Sequence, residues 1–304
     1  MKTLKYLVLT STFLFFSSIV ATTLFAESDE HNKPEHWSYE GECGPEHWGD
    51  LIHKNCKCKL GDMQSPIGIS TTQKAKLDSI NFHYYATPLK IINNGHTMQI
   101  NYGCGSSISI GNKRYELIQF HFHCPSEHKI HGKSYDMEAH LVHKGAHGEL
   151  AVIAVFMEEG KENDFIKTLW SNFPKEQGKE YAHTDLKINA NQILPKNTAA
   201  YYTYHGSLTT PPCSEIVNWF VLKTPIQVSK AELEKFASIF KSQFKYQKQN
   251  WKNLPPFLRG MQDQFNLSTA ESLRKVIKIG LRRFFITVVA RRALPLLHCQ
   301  LNLP

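Results

Sequence analysis

A short segment with alternating histidines is the first sign of chemistry in this chain. The segment Gln119–His123 reads Gln-Phe-His-Phe-His, so polar and aromatic residues alternate with a period of two. On a β-strand this period places His121 and His123 on one face and the two phenylalanines on the other. Two imidazoles on one strand face can converge on a single zinc ion. A pair alone, however, more often consists of core or solvated histidines that bind no metal. The pair indicates a metal site only if a third ligand exists.

A second segment of the same kind supplies that ligand. In the segment Met137–His143, a strand would place Glu138 and His140 on one face. If this strand returned opposite the first, His140 would lie beside the first two histidines. Three neutral histidines with an open fourth position form a catalytic zinc site rather than a closed structural one. Gln119 and Glu138 are then placed to orient the ligand imidazoles, and ordinary strand-edge polarity is the alternative for both.

A proline-rich loop carries two hydroxyl groups that suit such a site. The loop Ser207–Cys213 contains Thr209 and Thr210 just before two prolines. Such hydroxyls commonly cap turns. Beside a zinc-bound hydroxide, however, a threonine hydroxyl can accept from the metal-bound oxygen and donate to a buried carboxylate. Glu127 is a suitable carboxylate, but residue types alone do not select it.

Short strands are the elements that would position these residues. Between about 67 and 228, short apolar stretches recur between turn signals such as Asn93-Asn94-Gly95. Helical patterns occur at 163–172 and 230–243. We therefore expect a mostly β (α+β) single domain. It would be built on a large, mainly antiparallel, twisted central sheet with a few short surface helices.

The net charge of the chain lies at its two ends. The 304 residues carry a formal charge of +8. Lys2 and Lys5, with seven basic residues after Leu267 against the single acidic Glu271, account for all of it. The stretch 27–266 therefore has no net charge, which argues against a nucleic-acid partner.

The two ends also differ from the rest in composition. Residues 1–26 combine a basic start, the apolar stretch Tyr6–Val20 and the small residue Ala26, so they read as a signal peptide, with an uncleaved anchor as the alternative. We expect an exported protein, periplasmic or extracellular, with its domain at 27–260. The basic extension 261–304 would be disordered, a product of a frame change, or an interfacial helix in weak contact with a membrane surface.

Several motifs, in a fixed order between about Trp37 and Leu254, resemble those of the α-carbonic anhydrases. The exported, cysteine-containing form is most similar to the bacterial members. The resemblance implies a zinc lyase that interconverts carbon dioxide and bicarbonate, releasing a proton, through zinc-bound hydroxide. From about Phe257 the resemblance is lost. The motifs are Gly44-Pro45-Glu46-His47-Trp48, Gln64-Ser65-Pro66-Ile67, Asn93-Asn94-Gly95-His96, Gln119-Phe120-His121-Phe122-His123, Ser126-Glu127-His128, Glu138-Ala139-His140-Leu141-Val142-His143 and Gly206-Ser207-Leu208-Thr209-Thr210-Pro211-Pro212.

The resemblance also implies roles for individual residues. His121, His123 and His140 match the zinc ligands, and His96 matches the proton shuttle, a task that suits an imidazole with a pKa near 6.5. Thr209 matches the residue that hydrogen-bonds the hydroxide and Glu127. Thr210 matches the residue beside bound bicarbonate, and Gln119 and Glu138 keep their orienting roles. The apolar wall for carbon dioxide corresponds to Val142, Val152, Leu208, Val217 and Trp219, and the solvent network to Tyr39, Asn94 and Gln99.

The cysteines and the competing functions complete the expectations. Cys58 and Cys213 match the cysteine positions of the bacterial members, so the resemblance implies a disulfide between them, and Cys43 with Cys56 is a second, weaker pairing. A homodimer is the other interaction left open.

Two other functional classes compete with the enzyme: a binding module that has lost catalysis, and another zinc hydrolase such as an esterase. The first class would be expected to lack a zinc ligand, whereas this sequence has all three. Against the second class, this sequence offers no His-Glu-x-x-His helix and no serine nucleophile elbow.

Overall fold

A computed structural model describes residues 36–174, 176–241 and 243 of the chain. The expected signal peptide at 1–26 and the expected extension at 261–304 lie outside these residues. The strands are β1 Gly68–Ile69, β2 Ile80–His83, β3 Thr87–Asn93, β4 Met98–Asn101, β5 Ser107–Ile110, β6 Lys113–His123, β7 Lys129–Ile130, β8 Lys133–Ser134, β9 Met137–Lys144, β10 Leu150–Glu159, β11 Glu180–Ile188, β12 Tyr201–Gly206, β13 Val217–Leu222 and β14 Ile226–Val228. The α-helices are α1 Trp48–Leu51, α2 Lys57–Leu60, α3 Asp164–Ser171 and α4 Lys230–Ile239, and short 3-10 helices cover Gly41–Cys43, His53–Asn55 and Ala190–Ile193.

Eleven of the strands form one large sheet. Its main path has the order β11-β3-β4-β6-β9-β10-β13-β12, with β5 on β6, β2 on β5 and β14 on β10. The remaining strands form the small sheet β1-β7-β8. Strand β10 pairs in parallel with β13 and β14, and β1 with β7, whereas all other pairs between the named strands are antiparallel. The predicted architecture, a mostly β fold built on a large, mainly antiparallel central sheet with a few short helices, is confirmed.

The central strands are covered on both faces. Strand β10 begins with Leu-Ala-Val-Ile-Ala-Val-Phe-Met, and its residues from Ala151 to Met157 are all buried. Such a continuous apolar run is typical of a strand that has no solvated face. On one face, Phe120 and Phe122 belong to the larger core cluster. On the other face lies a smaller cluster that includes Val142 and Trp219.

Two helices pack beside the larger core cluster, and both begin at a capping side chain. The side chain of Asn163 accepts hydrogen bonds at the start of α3, and Ser229 and Glu232 form a capping box at the start of α4. Trp170 of α3 donates to the carbonyl oxygen of Glu232 at 2.9 Å. The predicted helix at 163–172 agrees with α3, and α4 ends at Ile239, earlier than the predicted limit of 243. Among the described residues, none of the helices combines the length and the apolar character needed to cross a bilayer.

A disulfide joins the N-terminal region to the loop after β12. Cys58 of α2 is bonded to Cys213, as the resemblance implied. The second pairing, Cys43 with Cys56, is wrong because Cys43 is a free thiol. The 3-10 helix that carries Cys43 is held instead by Trp48, whose indole N–H donates to the carbonyl oxygen of Cys43 at 3.1 Å, and Cys43 packs against an aromatic cluster.

Candidate metal centre

The two histidine segments lie on adjacent strands at the middle of the sheet. Strands β6 and β9 pair antiparallel, with His121 directly opposite His140 and His123 opposite Glu138. The ring centroids of the three histidines are 4.6 to 5.4 Å apart. One ligand atom from each lies within 4.8 Å of the others, close enough to hold a metal ion. The predicted convergence of the three imidazoles is therefore present.

Each imidazole has a polar partner on the nitrogen that faces away from the centre. Nδ1 of His121 lies 2.9 Å from Oε1 of Gln119, and Nε2 of His140 lies 3.0 Å from Oε1 of Glu138. Nδ1 of His123 lies 2.8 Å from the amide Nε2 of Gln243. Nε2 of His123 is buried and has no hydrogen-bond partner among the described residues. A buried, unpartnered ring nitrogen beside two other imidazoles fits a zinc ion, which prefers this donor set.

Burial keeps these rings neutral. It lowers the pKa of His121 to about 3, with a further contribution from repulsion by His140. Burial and the neighbouring imidazoles place the pKa of His123 well below its usual value. The pKa of His140 is lowered by burial as well, although the attraction of Glu138 opposes this effect. Since a metal binds only the neutral imidazole, the centre is ready to bind a cation near neutral pH.

Glu138 connects the centre to a buried chain of hydrogen bonds that sequence reasoning missed. Its carboxylate accepts from the backbone N–H of His128 at 2.8 Å and lies 2.6 Å from Nδ1 of that ring. Burial acts to raise the pKa of Glu138, but attraction to His128 and His140 and their hydrogen bonds outweigh it, so the pKa lies well below its usual range. His128 Nε2 lies 2.7 Å from the Tyr204 hydroxyl, which donates to Ser65 Oγ at 3.0 Å. Both His128 and Ser65 stand in the recognised motifs, but nothing in the motifs indicates this chain of contacts.

The same chain of contacts reaches the threonine loop. Ser65 Oγ accepts from the backbone N–H of Ser207 at 3.0 Å, and Ser207 Oγ accepts from the backbone N–H of Ser65 at 2.9 Å. Ser207 directly precedes the segment that carries Thr209 and Thr210. The position of this loop is therefore tied, through the buried His128 and Ser207 and the half-buried Tyr204 and Ser65, to the carboxylate that orients His140.

A pocket above the three histidines contains most of the residues that the resemblance singled out. Val142, Val152 and Trp219 lie side by side because Val152 of β10 pairs with Val142 of β9 and with Trp219 of β13. Val217 is buried in the same apolar cluster, and Leu208 packs against it. Glu127 and Glu138 lie behind the histidines. The pocket is lined by Trp37, Tyr39, Asn94, His96, Thr97, Gln99, Gln119, His121, His123, His140, Val142, Val152, Leu208, Thr209, Thr210 and Trp219.

Glu127 is buried against the metal centre, at 5% exposure. Its Oε1 lies 3.4 Å from Nδ1 of His123, and its Oε2 lies 3.8 Å from Nδ1 of His140. A carboxylate at these distances from the neutral histidines favours a cation bound between them. Thr209 lines the same pocket. The hydrogen bond between Thr209 and Glu127 that the resemblance implies stays a prediction.

His96 lies at the far side of the pocket and stacks on an aromatic ring. Its ring centroid is 3.7 Å from that of Trp37, with the two planes 10° apart. Asn94 holds the preceding turn by accepting from the backbone N–H of His96 at 3.0 Å, and its amide donates to Gln99 at 3.4 Å. Burial, and then repulsion by His36, lower the pKa of His96 to about 4. The ring in this position therefore does not have the pKa near 6.5 that proton transfer at neutral pH requires.

Comparison with known proteins identifies the family. The family model described as eukaryotic-type carbonic anhydrase matches residues 43–266. The carbonic anhydrase of Klebsiella pneumoniae is 45% identical over 222 residues, which cover 72% of this chain and 86% of that protein. The carbonic anhydrase of Nostoc sp. is 42% identical over 213 residues, which cover 68% of this chain and 80% of that protein.

A solved structure agrees with this result. The α-carbonic anhydrase of Thermovibrio ammonificans, in complex with the inhibitor sulfanilamide, has a TM-score of 0.65 and 43% identity. The match covers 68% of this chain and 91% of that one. Taken together, the order of motifs, the converging histidines and these matches show that the chain belongs to the α-carbonic anhydrase family, enzymes that catalyse the reversible hydration of carbon dioxide.

Proposed function

We propose that His121, His123 and His140 hold one zinc ion and that carbon dioxide is hydrated at the open position of this centre. The observation that carries the proposal is the convergence of three neutral imidazoles whose outer nitrogens all have polar partners. When bound in such a site, zinc acts as a Lewis acid that ionises a water molecule near pH 7, a value long associated with carbonic anhydrases themselves. The protein's own residues supply the remaining requirements.

Gln119 and Glu138 fix the directions of two ligand rings. Each accepts from the outer N–H of its histidine, so that the other ring nitrogen is free to face the pocket. The anionic character of Glu138, which follows from its lowered pKa, makes it the stronger acceptor of the two. Loss of either contact would allow the ring to rotate and would weaken zinc binding.

The apolar side of the pocket suits a small uncharged substrate. Val142, Val152 and Trp219 present side chains without an acceptor group toward the histidines, and the Trp219 N–H donates away from them to the carbonyl oxygen of Ser207 at 3.1 Å. Carbon dioxide can lie on such a surface without losing hydrogen bonds, whereas water and bicarbonate cannot. Thr209 and Thr210, on the polar side, would orient the attacking oxygen and then the bicarbonate product.

Removal of the product proton would use the polar side of the pocket. Tyr39, Asn94 and Gln99 line the pocket together with His96 and the three histidines. We assign His96 the role of proton shuttle because it lines this pocket and matches the shuttle position of the family. Because its pKa is about 4 while it stacks on Trp37, transfer near neutral pH requires a more exposed ring position.

The setting of the enzyme is also a proposal. A disulfide between Cys58 and Cys213 suits an oxidising compartment, which supports an exported, periplasmic or extracellular protein with a signal peptide at 1–26. The domain would then cover 27–260. The basic extension 261–304 would make at most weak contact with a membrane surface, and a homodimer stays open.

Zinc analysis combined with a carbon dioxide hydration assay tests the proposal. His140→Ala should remove most of the zinc and nearly all activity, because two imidazoles alone do not hold the ion. His147→Ala is the matched control, since His147 is an exposed histidine in the turn after the same strand. A His140→Ala protein with stoichiometric zinc and normal turnover would contradict the assignment. Full zinc occupancy of the native chain without hydration activity would favour a binding module instead.

A further inference from the structure

Gln243 reaches the metal centre from beyond the end of α4. Its side chain is 1% exposed, and its Nε2 lies 2.8 Å from Nδ1 of His123. Its Oε1 is buried and has no hydrogen-bond partner among the residues that the structure describes. An amide group buried with one end unsatisfied is costly, so a buried glutamine at this position calls for a reason.

The tautomer of His123 decides whether this ring can bind a metal. A neutral imidazole has one N–H and one acceptor nitrogen, so Nε2 can accept a metal only when Nδ1 carries the proton. Nε2 of His123 faces the other ligands and has no partner among the described residues. Oε1 of Glu127 lies 3.4 Å from Nδ1, and its negative charge favours a proton on that side.

The amide of Gln243 can serve either tautomer. In the orientation seen here its NH2 group faces Nδ1, which suits a ring that carries its proton on Nε2. A half-turn about the last side-chain bond exchanges the amide oxygen and nitrogen, and the two orientations differ little in shape. Oε1 then accepts from the Nδ1–H of His123, and the unsatisfied oxygen has its partner. The ring nitrogen that faces the pocket becomes an acceptor.

We propose that Gln243 is a positioning residue that holds His123 as its Nδ1–H tautomer, with the amide oxygen toward the ring, and thereby makes Nε2 a zinc ligand. This inference rests on the zinc site proposed above and extends it. Gln119 and Glu138 do the same for His121 and His140, so Gln243 completes the set. It also makes Gln243, which lies beyond the end of α4, part of the metal centre.

Zinc affinity tests the proposal in the full-length protein. Gln243→Met keeps the size of the side chain and removes its hydrogen-bonding groups. The zinc dissociation constant, measured by competition with a chelator, should rise about 10- to 100-fold, as is usual when a partner of a ligand histidine is lost. Gln227→Met, at an exposed glutamine of β14, is the control and should leave the constant unchanged. Gln243→Glu retains an acceptor and should lie closer to the native protein than Gln243→Met does.

The imidazole tautomer provides a second readout that does not depend on activity or on bound zinc. In zinc-free native protein, ¹⁵N chemical shifts should show the proton of His123 on Nδ1, and Gln243→Met should show a mixture. A proton on Nε2 in the native protein would overturn the proposal, and so would equal zinc affinity in the native and Gln243→Met proteins. Equal weakening in the Met and Glu variants would mean that an acceptor oxygen at this position does not decide zinc affinity, and that would overturn the proposal as well. If the native protein binds no zinc at all, the metal site itself is wrong.

Discussion

Removing the covalent link between Cys58 and Cys213 should lower the free energy of unfolding by several kcal/mol. The two residues are separated by 155 positions. In the chain-entropy description, a cross-link that closes a loop of this length restricts the unfolded chain enough to contribute about 5 kcal/mol. Alanine is the suitable replacement because Cys213 is only 4% exposed and packs with Tyr39, Trp48 and Leu51. A serine would bury an additional hydroxyl there.

Urea unfolding of the double variant Cys58→Ala/Cys213→Ala, at the same free zinc concentration as the native protein, measures this contribution. For a domain of this size the melting temperature should fall by about 10–20 °C. Cys104→Ala is the matched control because Cys104 is an exposed free thiol. Its loss removes a sulfur without opening a loop and should change the free energy of unfolding by less than about 0.5 kcal/mol.

Two results would refute this reasoning. A loss of less than about 1 kcal/mol with an unchanged urea dependence would mean that loop closure contributes little in this fold. A marked change in the urea dependence would mean that the bond acts mainly on residual structure in the unfolded chain. In either case the disulfide would have to be explained by its effect on the loop of Thr209 and Thr210. That effect would appear in turnover rather than in stability.

The remaining predictions concern protons and the end of the chain. His143 is buried with a pKa of about 4, so the unfolded chain binds an additional proton between about pH 6.5 and 4. The free energy of unfolding should therefore fall by about 3 kcal/mol as the pH falls through this window. In urea unfolding, His143→Gln should show a flatter pH dependence than the native protein. Trp37→Ala should expose His96 and raise its pKa from about 4 toward 6.5 in an NMR titration, and an unchanged value would mean that the stacked ring is not the cause. His96→Ala should slow turnover in weak buffer, with partial recovery on adding imidazole; equal turnover in all buffers would point to another proton route. Removing 267–304 should leave zinc content and hydration rate unchanged while lowering the isoelectric point. Loss of half the activity would mean that part of that segment packs against the domain.

The central part of the site could be predicted because it depends on local periodicity. The alternation in Gln119–His123 places two histidines on one face whatever the rest of the chain does. An antiparallel return then brings His140 to the same place. The burial of most of β10 likewise follows from its sequence, since the continuous apolar run from Ala151 to Met157 must be covered on both faces.

Other features depend on long-range packing and could not be predicted in this way. The contact between Gln243 and His123 joins residues 120 positions apart and has no motif. The lowered pKa of His96 results first from burial in a pocket where the ring stacks on Trp37, and then from repulsion by His36, and its own segment reveals neither. The pairing of Cys43 with Cys56 was wrong because spacing alone does not show which half-buried thiol faces a partner.

The parallel pairing of β10 with β13 has a consequence for the order in which the domain folds. Strands β6, β9 and β10 are close in the chain, whereas the contact of Asn218 with Leu150 joins residues 68 positions apart. Because contacts between distant residues carry a larger loop-closure cost, β13 should join β10 after β6, β9 and β10 have paired with one another. The three histidines would then be assembled before Trp219 completes the apolar wall, so a partly folded chain could already retain zinc. Pulse-labelling hydrogen exchange should therefore find β6 and β9 protected earlier than β13, and simultaneous protection would exclude this order.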